Sequence, residues 1–466
     1  MKVNNGKNLF VKNILNALSA NLVVAFVGLI NSFVFPKILS VADYAYYHTF
    51  TLYIGYLGLF HLGFPTGMAI KYAGKDYDSI EKKHYKSELL ILYSIIMFFF
   101  WAFFCAFSIT KNKMLLYITL VIIPTCIIGS YKSLLQAWNR FKEYRVVSVI
   151  LSVSIPIVSL GLFFVLGELT GDLYIIVYLI INWIVTFYVV SNNYKETKDV
   201  RLQSLFLKDN FLVGKVGFGI LIGSYINVLL TSADKQFVRW FFKDSEFAFF
   251  SFGMSMQSLM TVFIGSIAQP LFPKMAETDF KEENINMIKD LLLIFGSLSG
   301  VAYFGASFIV NCFLPHYKDS LNVVSIYFVV FPVYAVVSCL YVNLYKIKGM
   351  TKQYISTLVL VLVIDVILNF LLILCFKQYV MVAIATTLVY FVWFLIGIKQ
   401  FSGLNLTKKN IIYLLFYIIG FFVITKMNNY FIGCILYVLY ILVLIRMIYN
   451  NYFSFFMKYL FLEGRK

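Results

Sequence analysis

The chain has 466 residues, of which 61% are hydrophobic and 13% charged, and its formal net charge is +17. A soluble globular domain is roughly 45–50% apolar and roughly 25% charged, so this excess of apolar side chains cannot be hidden in one aqueous core. The composition excludes a soluble domain and predicts an all-α integral membrane protein. Since a spanning helix needs roughly 20 apolar residues, the chain has room for about 14 transmembrane helices.

Apolar runs bounded by charged residues follow one another along the whole chain. The first run is too long for the apolar core of a secretory signal, so it is predicted to be the first span. The last two runs are short and are interrupted by Lys426. The fourteen predicted spans lie at about 14–36, 45–70, 88–109, 115–137, 146–167, 172–191, 211–233, 247–272, 290–314, 321–345, 354–376, 380–398, 411–426 and 431–449.

Basic residues are distributed unevenly between the two sides of this predicted topology. With the N-terminus inside, all but nine of the 39 Lys and Arg residues fall on the inner side. The nine on the outer side are Lys37, Lys111, Lys113, Lys235, Arg239, Lys243, Lys318, Lys377 and Lys426. This follows the positive-inside rule and predicts a cell-membrane protein with both termini in the cytoplasm. It also accounts for the net charge without a nucleic-acid partner.

The longest predicted inner connection runs from Ser191 to Asn210 and divides the chain into two sets of six spans. Because six is even, the two sets have the same orientation in the membrane. We therefore predict an N-terminal lobe at 1–200 (spans 1–6) and a C-terminal lobe at 201–405 (spans 7–12). Residues 406–466 hold spans 13 and 14 and a cytoplasmic tail.

Ionisable side chains are costly inside a bilayer, which makes the few that occur there candidates for function. Asp365 lies in the middle of span 11, and Asn369 follows one turn later on the same face. Lys132 lies just inside the inner end of span 4. Two interpretations stay open for each. Asp365 either couples an ion or makes a structural hydrogen bond, and Lys132 either meets an anionic substrate or extends its ammonium to the interface.

Polar side chains also repeat at helical spacing in spans 7 and 10. In span 7 the stripe ends beside Lys235 and Arg239, and it consists of Ser224, Asn227, Thr231 and Asp234. We interpret it as one wall of a water-filled cavity. The stripe in span 10 consists of Tyr327, Phe331, Tyr334, Ser338, Tyr341, Tyr345 and Lys348. Aromatic faces backed by hydroxyls are suited to contact with a sugar. The alternative is that the stripe packs against neighbouring helices.

Motifs of enzyme chemistry are missing from the sequence. There is no P-loop, no HExxH and no GxSxG, so hydrolysis of ATP on this chain is disfavoured. The six cysteines all lie inside apolar runs without a CxxC pair, which is typical of buried thiols. We predict a protein that is not an enzyme and uses no cofactor or metal.

Several segments resemble one family of transporters. They include the first helix with the following VFPKILSVADYAYYHTF, the exit GLFHLGFPTGMAIKYAG, and the later LLQAWNRFKEYR and TSADKQFVRWFF. Together they resemble the bacterial polysaccharide (O-antigen-type) flippases of the multidrug/oligosaccharidyl-lipid/polysaccharide exporter superfamily. Lipid II flippases of the same superfamily carry cavity arginines in spans 1 and 2. This sequence has none there, which disfavours that subfamily.

The resemblance implies two six-helix lobes around a central cavity, two further C-terminal helices and alternating access. It implies a flippase that moves a polyprenyl-pyrophosphate-linked oligosaccharide from the inner to the outer leaflet, for O-antigen or capsule assembly. Its partners would be that lipid-linked oligosaccharide, membrane lipids, and the polymerase and glycosyltransferases of the same pathway. A drug/cation antiporter and a membrane polysaccharide polymerase are the alternatives.

Carrying a diphosphate through hydrocarbon requires cations to meet it. Our hypothesis places Lys132 and Lys215 at the inner side, where they receive the diphosphate, and Lys235 and Arg239 at the outer side, where it is released. The polar stripes would contact the sugar, and an ion gradient or the membrane potential would drive the cycle. The sugar contacts are Asn227, Tyr334 and Tyr341, and the ion-coupling residues are Asp234 and Asp365.

Overall fold

A computed structural model describes residues 23–24, 26–73, 75, 81–198, 208–275, 282–427 and 429–450. Throughout these residues the chain is helical, with short connections and no strand. The beginning of the predicted first span, much of the 191–210 connection and the predicted cytoplasmic tail beyond residue 450 lie outside the described residues.

The helices follow one another in chain order. Their bounds are α1 Phe26–Ile38, α2 Val41–Tyr56, α3 Phe64–Tyr72, α4 Lys82–Thr110, α5 Lys113–Ala137, α6 Phe141–Leu166, α7 Gly171–Thr197, α8 Lys208–Phe241, α9 Asp244–Met275, α10 Glu282–Leu298, α11 Val301–Phe313, α12 Ser320–Ala335, α13 Val342–Ile347, α14 Thr351–Phe376, α15 Val380–Gln400, α16 Lys408–Thr425 and α17 Tyr430–Ile448. A 3₁₀ turn at Leu57–Leu59 lies between α2 and α3, and a π-helical turn at Val336–Tyr341 joins α12 to α13.

Eleven of the described helical segments are long and apolar enough to cross a bilayer. Three further predicted spans coincide with α1, with α2 and α3 together, and with α9. Each predicted apolar run therefore has a helical counterpart, and the arrangement is consistent with fourteen crossings. The prediction of an all-α, multi-pass membrane protein is confirmed.

Polar side chains at the helix starts explain many of the observed boundaries. Ser40 accepts a hydrogen bond from the Asp43 amide at the start of α2, and Asn112 accepts from two amides at the start of α5. Thr407 and Asn410 form a reciprocal capping box at the start of α16. Such caps satisfy backbone N–H groups that have no partner within the helix.

The chain divides into two compact units, Met1–Ser232 and Ala233–Lys466, and the division falls inside α8. In the first unit the core is centred on α5, whose Val121, Ile122 and Leu135 are fully buried. In the second unit, Ser320–Ile347 is the most buried of the candidate spans. The predicted division into lobes at 1–200 and 201–405 with a 406–466 extension stays a prediction.

Glycines bring the backbone of α3 directly against the first half of α8, both within the first unit. A Cβ on Gly67 would overlap the carbonyl of Val213, and a Cβ on Gly217 would overlap the carbonyl of Gly63. Gly63 also has a left-handed backbone conformation, with φ +73°. Small residues allow helix backbones in membranes to approach this closely.

We expect Gly217→Ala to lower the free energy of unfolding by about 1–3 kcal/mol, because the added methyl group overpacks a backbone contact that cannot yield cheaply. The matched control is Gly219→Ala on the same helix, since a Cβ at Gly219 meets nothing within 4 Å. Thermal unfolding of both purified variants in detergent measures the difference. Equal unfolding temperatures would show that the contact does not constrain α8.

Candidate functional site

Two carboxylates are buried among the helices of the second unit. Asp234 on α8 is 2% exposed and Asp365 on α14 is 1% exposed. An ionised carboxylate in such surroundings is costly unless hydrogen bonds or a counter-charge compensate it. The hydrogen-bond partners of each carboxylate therefore indicate what the cluster can bind.

Asp234 is surrounded by hydrogen-bond donors from three other helices. Thr386 of α15 donates its hydroxyl to Oδ2 at 2.5 Å, and Asn369 of α14 donates Nδ2 to Oδ1 at 3.2 Å. The hydroxyl of Tyr327 on α12 lies 3.3 Å from Oδ2. Three donors stabilise a negative charge at this position, so the side chain is held as an acceptor in a defined place.

Asp365 is in the opposite situation. By distance and angle, neither of its carboxylate oxygens accepts a hydrogen bond from a described residue, although the side chain of Asn369, one turn further along α14, lies near enough to stabilise the carboxylate. The Oδ1 of Asn369 has no donor among these residues either. Asp365 lies close enough to Asp234 and to Tyr327 to interact with both electrostatically. Three buried acceptor oxygens without donors thus lie beside a second carboxylate.

Buried polar atoms without a partner require a physical explanation. An excess of oxygen acceptors over donors is what a bound proton or a small hard cation satisfies. Within the described ranges, no group of three or more His, Cys, Asp or Glu side chains is placed to hold a metal ion. The acceptors that the cluster offers are the two carboxylates and the Oδ1 of Asn369.

The tyrosines predicted to contact a sugar are placed differently from one another. Tyr334 is half-buried, and its ring lies edge-on to Tyr390 at a centroid distance of 5.2 Å. Tyr341 is fully buried, its hydroxyl donates to the carbonyl of Phe394 at 3.1 Å, and its ring occupies the space beside Gly397. In this structure Tyr341 packs α13 and the π-helical turn against α15.

The predicted cationic and polar residues of α8 are spread along its length. Lys215 and Asn227 are exposed and belong to the first unit. Lys235 is half-buried in the second unit. Arg239 forms an ion pair with Asp244 at 2.5 Å, so its charge is already compensated. The roles of these four residues toward the substrate stay predictions.

Lys132 lies in the first unit, at the wall of a cavity of about 360 Å³ that we name the N-terminal cavity. Helices α1, α5, α6 and α7 form it. Its lining residues are Val24, Val27, Gly28, Asn31, Lys132, Ser148, Leu151, Ser152, Ile155, Pro156, Tyr174, Tyr178 and Asn182. The lining combines one cation with hydroxyl and amide groups and contains no carboxylate.

Thr386, which makes the shortest hydrogen bond to Asp234, is not among the residues predicted from the sequence. The hydroxyl of Tyr327, a residue of the stripe interpreted as sugar contact or as packing, lies at the carboxylate cluster. The available signal was the pair Thr386-Thr387, two polar residues within the apolar segment VMVAIATTLVYF. Two adjacent hydroxyls are weak evidence alone, because threonine usually satisfies its hydroxyl on its own helix.

The chain is similar to known proteins in its sequence and in its fold. A family model described as "Polysaccharide biosynthesis protein" matches residues 10–279. The fold is similar to a solved structure described as "Lipid II flippase MurJ, inward closed conformation". The TM-score is 0.67 at 17% sequence identity, over 94% of this chain and 99% of that one. A structure described as "protein A" has a TM-score of 0.50 at 14% identity, over 86% and 97% of the two chains. No curated protein matches significantly.

Proposed function

Because the chain belongs to the polysaccharide biosynthesis protein family of the multidrug/oligosaccharidyl-lipid/polysaccharide exporter superfamily, we propose that it is a lipid-linked oligosaccharide flippase. It moves a polyprenyl-pyrophosphate-linked repeat unit from the inner to the outer leaflet of the bacterial cytoplasmic membrane, for surface polysaccharide assembly. Both termini lie in the cytoplasm. The family match over more than half of the chain carries this proposal.

The chemistry of the proposed substrate sets two requirements. A diphosphate and several sugars must pass about 30 Å of hydrocarbon, while the polyprenyl chain stays in lipid. The diphosphate needs cations, for which the candidates are Lys132, Lys215, Lys235 and Arg239. The sugar needs hydroxyls, amides and aromatic faces, for which the candidates are Asn227, Tyr334 and Tyr341. Tyr341 can serve only if its packing against Phe394 opens during the cycle.

A carrier that works against a gradient also needs a driving force. The carboxylate cluster supports coupling to a cation, since Asp234 accepts hydrogen bonds from three donors, whereas no described residue donates to Asp365 at hydrogen-bond distance and angle. We propose that a proton or another monovalent cation occupies the free acceptor oxygens in one state of the carrier and leaves them in the other. Its differential binding would then shift the equilibrium between the two states.

The test is a deletion of the gene in its host, followed by measurement of lipid-linked repeat units in each leaflet. Accumulation in the inner leaflet, reversed by the wild-type chain, is the expected result. Unchanged distribution would overturn the proposal. Transport of labelled lipid-linked oligosaccharide into proteoliposomes containing only the purified protein would separate flipping from polymerisation.

A drug/cation antiporter is the second candidate, and the carboxylate cluster is the observation that favours it. Acidic groups in the second unit suit a cationic substrate as well as a coupling ion. The two functions differ in what the proteoliposomes transport. Efflux of planar organic cations without movement of lipid-linked sugar would select the antiporter.

A further inference from the structure

A separate cavity lies at one end of the second unit, between the α8–α9 turn and the end of α14. Its volume is about 530 Å³, and we name it the α8–α14 pocket. In the predicted topology this end of the two helices is on the outer side. The lining residues are Phe241, Phe242, Lys243, Glu246, Ile373, Leu374 and Lys377. Every lining side chain is therefore either charged or apolar.

The charged groups of this pocket have an excess of positive charge. Lys243 and Lys377 are exposed, and neither forms an ion pair with a described residue. Glu246 supplies the one carboxylate among the lining residues, and its Oε2 accepts a hydrogen bond from the backbone N–H of Lys243 at 3.0 Å. Glu246 thus satisfies a backbone donor at the start of α9. The two ammonium groups remain available to an anion, and they repel a cation.

The rest of the lining is apolar and partly open to the surroundings of the protein. Phe241 is 49% exposed and Leu374 is 56% exposed, whereas Ile373 is buried. No hydroxyl or amide side chain lines the pocket, so the groups that recognise a sugar are missing from it. An anion that carries hydrocarbon chains can cover the exposed apolar side chains, which a free anion cannot do. The lining therefore fits the headgroup and upper acyl chains of an acidic lipid.

The two sides of the pocket belong to helices that also meet at the carboxylate cluster. Asn369 of α14 donates a hydrogen bond to Asp234 of α8 at 3.2 Å. Ile373 follows Asn369 by one turn on the same face of α14, and Phe241 follows Asp234 by two turns on the same face of α8. A molecule that occupies the pocket would therefore join the ends of α8 and α14 just beyond this hydrogen bond.

We propose that the α8–α14 pocket binds an acidic membrane phospholipid, whose phosphate contacts Lys243 and Lys377 and whose acyl chains cover Phe241 and Leu374. The lipid is a structural ligand of the second unit and is not the transported substrate. By joining the ends of α8 and α14 it stabilises the folded state. The proposal does not depend on which lipid-linked molecule the protein moves.

Photo-crosslinking of the purified full-length protein in detergent tests the site, with phosphatidylglycerol that carries a photoreactive group near its headgroup as the probe. We expect labelling of peptides that contain residues 241–246 and 373–377. Lys243→Gln combined with Lys377→Gln should reduce this labelling at least about tenfold, because two charge-assisted contacts to phosphate are lost. Lys243→Arg combined with Lys377→Arg keeps both charges and should stay within a few-fold of wild type. Wild-type labelling in the glutamine double variant would overturn the proposal.

The matched control is Lys318→Gln combined with Lys426→Gln, two exposed lysines of the second unit on the same predicted side. It removes the same charge and should leave the labelling of the pocket at the wild-type level. Thermal unfolding shows whether each variant is folded. Added phosphatidylglycerol should raise the unfolding temperature of wild type and control more than that of the glutamine double variant at the pocket. If that double variant does not fold, its two single changes decide, and wild-type labelling in both would contradict the site.

Competing ligands identify the bound molecule. Unlabelled phosphatidylglycerol should suppress the labelling at a concentration at least about tenfold lower than phosphatidylethanolamine, glycerol phosphate or polyprenyl diphosphate. Equal competition by phosphatidylethanolamine would show that the two lysines do not select an acidic lipid. Equal competition by glycerol phosphate would indicate a free-anion site, and equal competition by polyprenyl diphosphate would indicate a contact with the transported substrate. Each of these three results would overturn the assignment.

Discussion

Asp234→Asn is expected to reduce transport of lipid-linked oligosaccharide by at least about tenfold, because it removes the charged acceptor of three hydrogen bonds and each charged hydrogen bond is worth about 1.5–3 kcal/mol. The asparagine has nearly the same size, so the helices should still pack. Transport into proteoliposomes at fixed protein content measures the effect. Retention of wild-type flux would show that the Asp234 charge has no part in the cycle.

Asp365→Asn distinguishes a role of Asp365 in coupling transport to a cation from a purely structural role. If the donor-free oxygens of Asp365 receive the driving cation, this variant should transport at the same rate with and without a cation gradient, whereas the wild-type rate rises with the gradient. The matched control is Asp172→Asn, which makes the same change at an exposed carboxylate in the first unit. A variant Asp365→Asn that still responds to the gradient would contradict the coupling role.

The sequence alone was sufficient to predict the apolar helices and to single out Asp234 and Asp365, whose roles stay predictions. A run of apolar residues long enough to cross a bilayer indicates contact with lipid, because polar side chains are unfavourable in hydrocarbon. The helical period places Asp365 and Asn369 on one face, and the structure has both side chains buried in the same cluster. An isolated acid in a long apolar run is a strong signal, because its cost must be compensated by function or by a partner.

The partners of those acids could not be predicted, because they depend on which helices pack together. Thr386 and Tyr327 reach Asp234 from helices far along the chain.

Breaks in the helix within a predicted span could not be predicted either. The predicted span 45–70 consists of α2, a 3₁₀ turn and α3. Apolar composition continues through such breaks, since lipid contact does not require one unbroken helix when neighbouring side chains satisfy the freed backbone groups.

A buried ion pair near the start of α4 was missed for a related reason. Glu88 lies at the edge of a basic segment and resembles a solvated loop residue, yet it is fully buried. Its Oε1 lies 2.5 Å from the ammonium of Lys71, and its Oε2 accepts a hydrogen bond from Tyr72 at 2.7 Å. The carboxylate joins α4 to α3, the helix that also contacts α8 through glycines.

Lys71→Met is expected to lower the free energy of unfolding by about 3 kcal/mol, because it leaves the Glu88 carboxylate buried without a counter-charge. The effect belongs at the lower end of the range for buried pairs, since the Lys71 side chain is 25% exposed and water reaches it. Thermal or chemical unfolding of the purified variant measures the loss. The matched control is Lys113→Met, whose partner Asp172 is exposed, and its cost should be much smaller because water screens an exposed ion pair.

The double variant Lys71→Met with Glu88→Gln separates the loss of attraction from the penalty of an unpaired charge. Glutamine is neutral and keeps an acceptor for the Tyr72 hydroxyl, so most of the stability lost in Lys71→Met should return. If the double variant is as unstable as the single one, the lysine contributes through packing of its hydrocarbon stem. If Lys71→Met costs no more than Lys113→Met, the carboxylate has reached water or gained a proton, and the ion pair does not hold α3 against α4.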